Sequence, residues 1–410
     1  MTRSARGFVL VFVFVFLSAC TPSRPAPDVL RVGSSGDYAP FSMHNEVGWE
    51  GFDVEVARRF AQDTGRRLEL VEFRWPALEL DLAANRFDVA MSGVTMRPWR
   101  ALVGSFARPI ARVGAVVLAH PGLATTLAEL DRPEHAIGVN AGGYLERVAH
   151  RLFRRAEIVP IADNRQVAEQ LRTYTVAAVV SDELEAGMFR RMVPDAVLLG
   201  PLTNDRKAYL ARDPALAEEL DAWLRARESD GSLPAFRARM LGAQWGMPHT
   251  ALASDLDALL ALIELRLAFM PAVAVAKEER GLPTTDPVQE AQVIARARER
   301  ATLLGADPDQ IAFLFETTMR AARDVQDAFR AIPPRDRPAV ETMDLENEAR
   351  PALAGISAAI VARAAQVAHD RVGLPRPTPA LIADALDPSL VPLDDRVAIA
   401  QAVVALLPTE

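Results

Sequence analysis

The sequence predicts an α/β two-lobed domain followed by an all-α domain. Three observations lead there. From Val29 to about Met247, short apolar runs alternate with amphipathic helical stretches, the pattern of a layered α/β structure with a largely parallel sheet. The alternation comes as two similar sets joined by short connections, which suggests two lobes with a ligand cleft between them. Beyond residue 251 the strand-like runs stop, and long helical stretches opened by Asp-Pro pairs take over.

The elements follow in chain order. MTRSARG carries two arginines and is followed by FVLVFVFVFL, an apolar run of ten that is too short for a stable membrane span. This reads as an export signal over residues 1–20, and Leu-Ser-Ala-Cys at its end looks like a bacterial lipoprotein box. That resemblance makes Cys20 the lipidated residue and implies a periplasmic, membrane-anchored protein; the plainer reading is a cleaved signal with a chance cysteine. TPSRPAPD, residues 21–28, is a short stiff tether. LRVGSS, LELVEF and FDVAMSGV read as strands of the first set, with helices over GFDVEVARRFAQDTG and from Pro76 to Asn85. HAIGVN, AEIVPI and VAAVVSD are strands of the second set, with helices from Gly143 and from Arg165 to Arg172. The expected domains are residues 29–247 and 251–410, with Ser254 and Asp257 starting the first helix of the latter. Pro271 is expected to kink that helix.

With 410 residues, half of them hydrophobic, the chain is long enough for two or three domains with real cores. A net charge of −8 argues against a general nucleic-acid binder, while local cations still permit anionic metabolites. Six scattered histidines show no ligand spacing, so no metal site is expected. Cys20 is the single cysteine and no intrachain disulfide can form.

In the helical part, Arg266 and Lys277 stand eleven residues apart on a stripe with Met270 and Val273. Two cations on an apolar stripe are costly unless paired or matched to an anionic ligand, so they suggest a pocket for a small polyanion. Read with Asp286-Pro287, Glu290, Asp307-Pro308 and Gln326, the series over about sixty residues resembles the all-helical chorismate mutases, specifically their secreted subclass. The resemblance implies a concerted rearrangement of chorismate to prephenate without cofactor, nucleophile or proton transfer. Arg266 would bind a carboxylate, and Lys277 and Gln326 would donate to the breaking ether oxygen. Glu290, assisted by Asp286, would hold the ring hydroxyl, and Arg350 would bind the other carboxylate. Two positions depart from the family pattern: its usual arginine before the glutamate is Gln289, and its usual Ser or Thr one turn before Gln326 is Ala322. Plainer roles exist for several of these residues. Asp286 with Gln289 makes a helix N-cap, and Lys277 before Gly281 meets a helix dipole.

In the α/β part, SSGDYAPFS, EGFDVEVARRFA, RWPALELDLAANRFDVAMSGV and NAGGY, then SDELE and KAYLARD, resemble the extracellular solute-binding proteins of the polar amino-acid type over about 220 residues. Within that group they are most similar to the periplasmic cyclohexadienyl dehydratases, through Gly-Asp-Tyr-x-Pro-Phe and the Trp-Pro before the second helix. The resemblance implies that Arg100 clamps a ligand carboxylate, with Thr95 nearby and Asp37, Tyr38 and Trp75 lining the cleft. Asn140, Gly142 and Gly143 would form an anion loop, and Lys207 is retained from the family pattern; Tyr144 and Ala115 depart from it. Glu185, three residues after Asp182, would be the proton donor that distinguishes a dehydratase from a binder. The plainer reading makes Asp182 an N-cap and Glu185 its capping-box partner.

Together these resemblances imply consecutive steps, chorismate to prephenate and prephenate to phenylpyruvate, with arogenate as an open second substrate. The competing expectation is a solute-binding lipoprotein that keeps a degenerate, or the solely active, mutase domain. A homo-oligomer is compatible with either.

Overall fold

The computed structural model describes residues 28–242, 251–369 and 377–407. The export signal, Cys20, the tether as far as Pro27 and residues 243–250, which include the junction between 247 and 251, lie outside the described residues.

The first lobe is built on a five-stranded sheet in the order Arg67–Glu72, Val29–Ser34, Val89–Ala90, Arg206–Ala211, Ser105–Arg112. The second has Glu157–Ile161, Ala136–Asn140, Ala178–Asp182, Ala115–Ala119, Val197–Leu199. In each sheet the first three strands are parallel, and the fourth runs antiparallel to both of its neighbours, the third and the fifth. The sequence pattern predicts the parallel part and misses the rest. The antiparallel strands carry the chain between lobes, through Val113–Gly114 outward and residues 200–205 back, with no crossover helix to mark them. Arg108 and Arg112 also interrupt the apolar run that would have revealed the strand Ser105–Arg112.

The C-terminal part is helical, as expected: Ala251–Ala268, Met270–Glu279, Pro287–Leu303, Pro308–Ala331, Arg350–His369, Pro379–Asp384 and Leu393–Leu406. Pro271 does more than kink the first helix. It has no N–H to offer the preceding turn, and the chain breaks into two helices at Phe269. Asp286 and Asp307 cap their helices by accepting from the Gln289 N–H (3.1 Å) and the Asp309 N–H (2.8 Å).

This bundle shares its core with the first lobe, since Met96 and Ala208 pack in the same cluster as Leu259, Ile263 and Leu267. Charges stitch the rest of the contact. Buried Arg108 donates to Asp221 Oδ2 (2.8 Å), Asp255 Oδ1 (2.9 Å) and Ser254 Oγ (2.9 Å). Arg206 pairs with Asp257 and Glu264, and Arg112 also pairs with Asp257. Ser254 and Asp257 therefore do not start their helix, which already runs from Ala251; they face the first lobe. The return segment between lobes is braced as well, with Asn204 and Arg206 both donating to the Ala385 carbonyl at 3.2 Å.

A buried ion pair broken on one side leaves an uncompensated charge. Asp255→Ala is expected to cost on the order of 3 kcal/mol, read as a lower urea midpoint for the whole chain. An unchanged midpoint would show that the cluster contributes nothing to joining the two parts.

Candidate active sites

Between the lobes lies a small cavity of about 40 Å³ lined by Tyr38, Trp75, Thr95, Arg100 and Lys207 from one side and Asn140, Gly143, Tyr144, Asn164 and Glu185 from the other. That is room for a water or two, so the lobes are closed and a larger ligand enters only when they part. Closure is tight. Tyr38 OH bonds Asp182, Lys207 Nζ stands 3.6 Å from Asp182 Oδ2, and Asn164 Nδ2 donates to the Asp37 carbonyl at 3.2 Å. Gly142, at φ +75°, lies against Pro76 of the other lobe so closely that a Cβ there would fall 2.2 Å from Pro76 Cγ.

Local sequence explains how the acid is placed. Asp182 ends a buried strand and caps the helix Glu183–Met192, accepting from the Leu184 and Glu185 N–H groups at 3.0 Å. That turns Glu185 inward, where its side chain does not cap. Ser181 Oγ donates to Oε2 at 2.8 Å and Asn164 Nδ2 to Oε1 at 2.5 Å. Burial, and after it the neighbouring Asp182 charge, push the Glu185 carboxyl up to about 8, so it holds its proton at neutral pH. Lys207 opposes this shift and is itself lowered by burial.

Arg100 is buried. Its Nε donates to Glu79 (3.0 Å) and its Nη1 to the Thr95 carbonyl (2.9 Å), which fixes the guanidinium and leaves three of its five N–H groups for a ligand. Thr95 Oγ1 accepts from Lys207 Nζ at 3.1 Å, and Asn140 Nδ2 is buried without a partner. Two expected lining residues are displaced. Asp37 lies behind the wall, its carboxylate accepting from the Asn164 N–H at 3.4 Å, and the Gly142 N–H is taken by Glu146 at 2.5 Å. Asn164 is the contact that sequence reasoning missed. It occupies a short turn after Asp163 and carries no motif.

The helical domain holds a larger cavity of about 670 Å³. Arg266, Lys277, Asp286, Glu290, Gln326 and Arg350, all named from sequence, line it together, as do Met270 and Val273 of the cationic stripe. Arg266 is only 8% exposed, and its Nε and Nη1 are buried without partners. Burial lowers it to about 10, with Glu290 working against the shift. Gln326 donates to the Ala322 carbonyl at 3.0 Å and keeps Oε1 buried and unpartnered. Lys277 Nζ donates to the Thr284 carbonyl at 2.6 Å, and burial lowers its pKa. Arg350 bonds Glu346 (2.6 Å) and reaches Asp286 at 3.5 Å. Unmet donors on a buried guanidinium make a ready receptor for a carboxylate. Arg323, at 2.6 Å from Glu290, also lines the cavity and was not foreseen; its place three residues before Gln326 on one helix was the available signal.

A two-lobed α/β fold closing on a buried acid is that of a solute-binding protein, here joined to a helical bundle with a cationic pocket. Residues 30–243 match the bacterial extracellular solute-binding proteins, family 3, and residues 255–327 match chorismate mutase type II. The first match takes in half of the chain, which belongs to that solute-binding family. The family is extracellular, consistent with an extracellular or periplasmic location. The α/β part is 33% identical over 229 residues to cyclohexadienyl dehydratase of Pseudomonas aeruginosa, covering 54% of this chain and 85% of that protein. It is 28% identical over 210 residues to a probable amino-acid ABC transporter-binding protein of Haemophilus influenzae, covering 50% and 81%. A crystal structure of an ancestral amino acid-binding protein, a precursor of cyclohexadienyl dehydratase, is 25% identical across 52% of this chain and 95% of that one, with a TM-score of 0.49.

Proposed function

We propose that the chain is a bifunctional enzyme of phenylalanine formation, in which residues 251–410 rearrange chorismate to prephenate and residues 29–247 convert prephenate to phenylpyruvate. It works outside the cytoplasm, held to a membrane through a lipid on Cys20, and neither reaction uses a cofactor or metal.

Glu185 is the observation that carries this reading. A binder of amino acids needs no neutral carboxylic acid between its lobes, whereas a dehydratase does. In the second reaction the bond from ring to carboxylate breaks, its electron pair completes the aromatic ring, and the ring hydroxyl leaves. Glu185 gives its proton to that departing hydroxide, so carbon dioxide, water and phenylpyruvate are the products, and solvent restores the proton when the lobes open. Arg100 holds a substrate carboxylate, with Thr95, Asn140 and Gly143 around it. Asp37 and Gly142 act from behind, by fixing Asn164 and permitting closure.

In the first reaction the protein holds the compact conformer and stabilises charge on the ether oxygen. Arg266 and Arg350 take the carboxylates, Lys277 and Gln326 face the ether oxygen, and Glu290 with Asp286 takes the hydroxyl.

The test is to give the purified chain chorismate and follow its loss together with phenylpyruvate formation. Phenylpyruvate supports both activities. Prephenate accumulating alone leaves a mutase with a binding domain, and inertness toward both substrates favours a solute binder. Arogenate in place of prephenate defines the substrate range, and sedimentation gives the number of chains.

A further inference from the structure

We infer that Arg323 is a substrate-binding residue of the helical-domain pocket, supplying the carboxylate-binding cation that Gln289 does not. This rests on the mutase reading above. Gln289 and Glu290 are neighbours in the first turn of the helix Pro287–Leu303, and both line the cavity. Arg323 reaches the same place from the facing helix, Pro308–Ala331, and its Nη1 lies 2.6 Å from Glu290 Oε2. Met319, Ala322 and Gln326, on the same stripe of that helix, also face the cavity.

The other cations are differently occupied. Lys277 is bonded to a carbonyl and Arg350 to Glu346, which leaves Arg266, with Nε and Nη1 unmet, and Arg300, with Nε unmet, as lining cations with buried unpartnered donors. With Arg266 and Arg350 on the two carboxylates, Arg323 adds a second guanidinium beside one of them at the end of the cavity where Gln289 brings no charge. Six cations and four carboxylates line the cavity, an excess of two positive charges that matches a dicarboxylate; without Arg323 the excess is one. Arg323 keeps a contact with water, its side chain being 30% exposed, so it can turn from Glu290 toward a ligand. A planar guanidinium also bonds Glu290 through one nitrogen while offering another N–H to the substrate. As the carboxylate arrives, Glu290 is released to accept from the ring hydroxyl.

The test compares the full chain with Arg323→Ala, Gln289→Arg and the double variant, using chorismate turnover and calorimetric chorismate binding. Arg323→Ala is expected to raise KM about tenfold or more, the scale of a lost charge-assisted hydrogen bond. Gln289→Arg in that background is expected to recover most of the loss. Prephenate turnover by the α/β part, unchanged in all variants, shows that they fold. KM within twofold of the parent for Arg323→Ala overturns the inference. So does a loss that Gln289→Arg fails to recover, which would make Arg323 only a holder of Glu290. If the parent chain binds chorismate without converting it, the mutase reading fails on its own, and the affinity lost in Arg323→Ala decides the inference. A parent chain that neither binds nor converts chorismate overturns both.

Discussion

Glu185→Gln is expected to abolish phenylpyruvate formation, by about 10²- to 10⁴-fold, the range for loss of a positioned general acid. Chorismate fed to this variant should stop at prephenate. The amide keeps the shape of the side chain and can still meet Ser181 and Asn164, so prephenate binding should persist while turnover disappears. The pH profile gives an independent check. The carboxyl must carry its proton to act, and it is pushed up to about 8. Activity should therefore be full near neutrality and fall as pH rises through about 8, where an ordinary glutamic acid would already be ionised and inactive near pH 5. A profile that drops at pH 5, or a Glu185→Gln variant that still releases phenylpyruvate, would remove Glu185 from the chemistry.

Glu185 was singled out through the resemblance of Ser-Asp-Glu-Leu-Glu to the dehydratase segment; the three-residue step from Asp182 alone fitted a capping box equally well, and the side chain instead meets Ser181 and Asn164. The pocket of the helical domain was legible in the spacing of Arg266, Met270, Val273 and Lys277, all of which line it even though the helix breaks at Phe269 between the first and the other three. What escaped depends on contacts between distant segments. Nothing local in Asn164 reveals that it will meet Glu185 and Asp37, and nothing in Arg108 announces Asp255, 147 positions away. Those arginines look like interruptions of a strand until the bundle covers them. Asp37 and Gly142 illustrate the converse limit. Their motif places them at the cleft, but one residue of rotation decides whether a group lines the wall or supports it from behind.

Lys277→Ala carries the largest expected effect on the first reaction, on the order of 3 kcal/mol in the barrier, or about 10²-fold in kcat. Two residues are assigned to the ether oxygen, and their contributions differ in kind. Gln326 offers a neutral N–H that is at present committed to the Ala322 carbonyl. Lys277 offers a full charge, half-buried, where the surrounding protein screens it less than water does. Negative charge builds on that oxygen only in the transition state, so losing the ammonium should lower kcat more than it raises KM. The same placement fixes a sign for pH. Burial, with Arg330 and Arg350 nearby, lowers the Lys277 pKa, so mutase activity should be lost at alkaline pH earlier than an exposed lysine would allow. This loss belongs to chorismate turnover and the fall near pH 8 to prephenate turnover, so separate assays of the two substrates distinguish them. Chorismate conversion by Lys277→Ala at the parent rate would mean that the cavity between Arg266 and Arg350 is not where the rearrangement occurs.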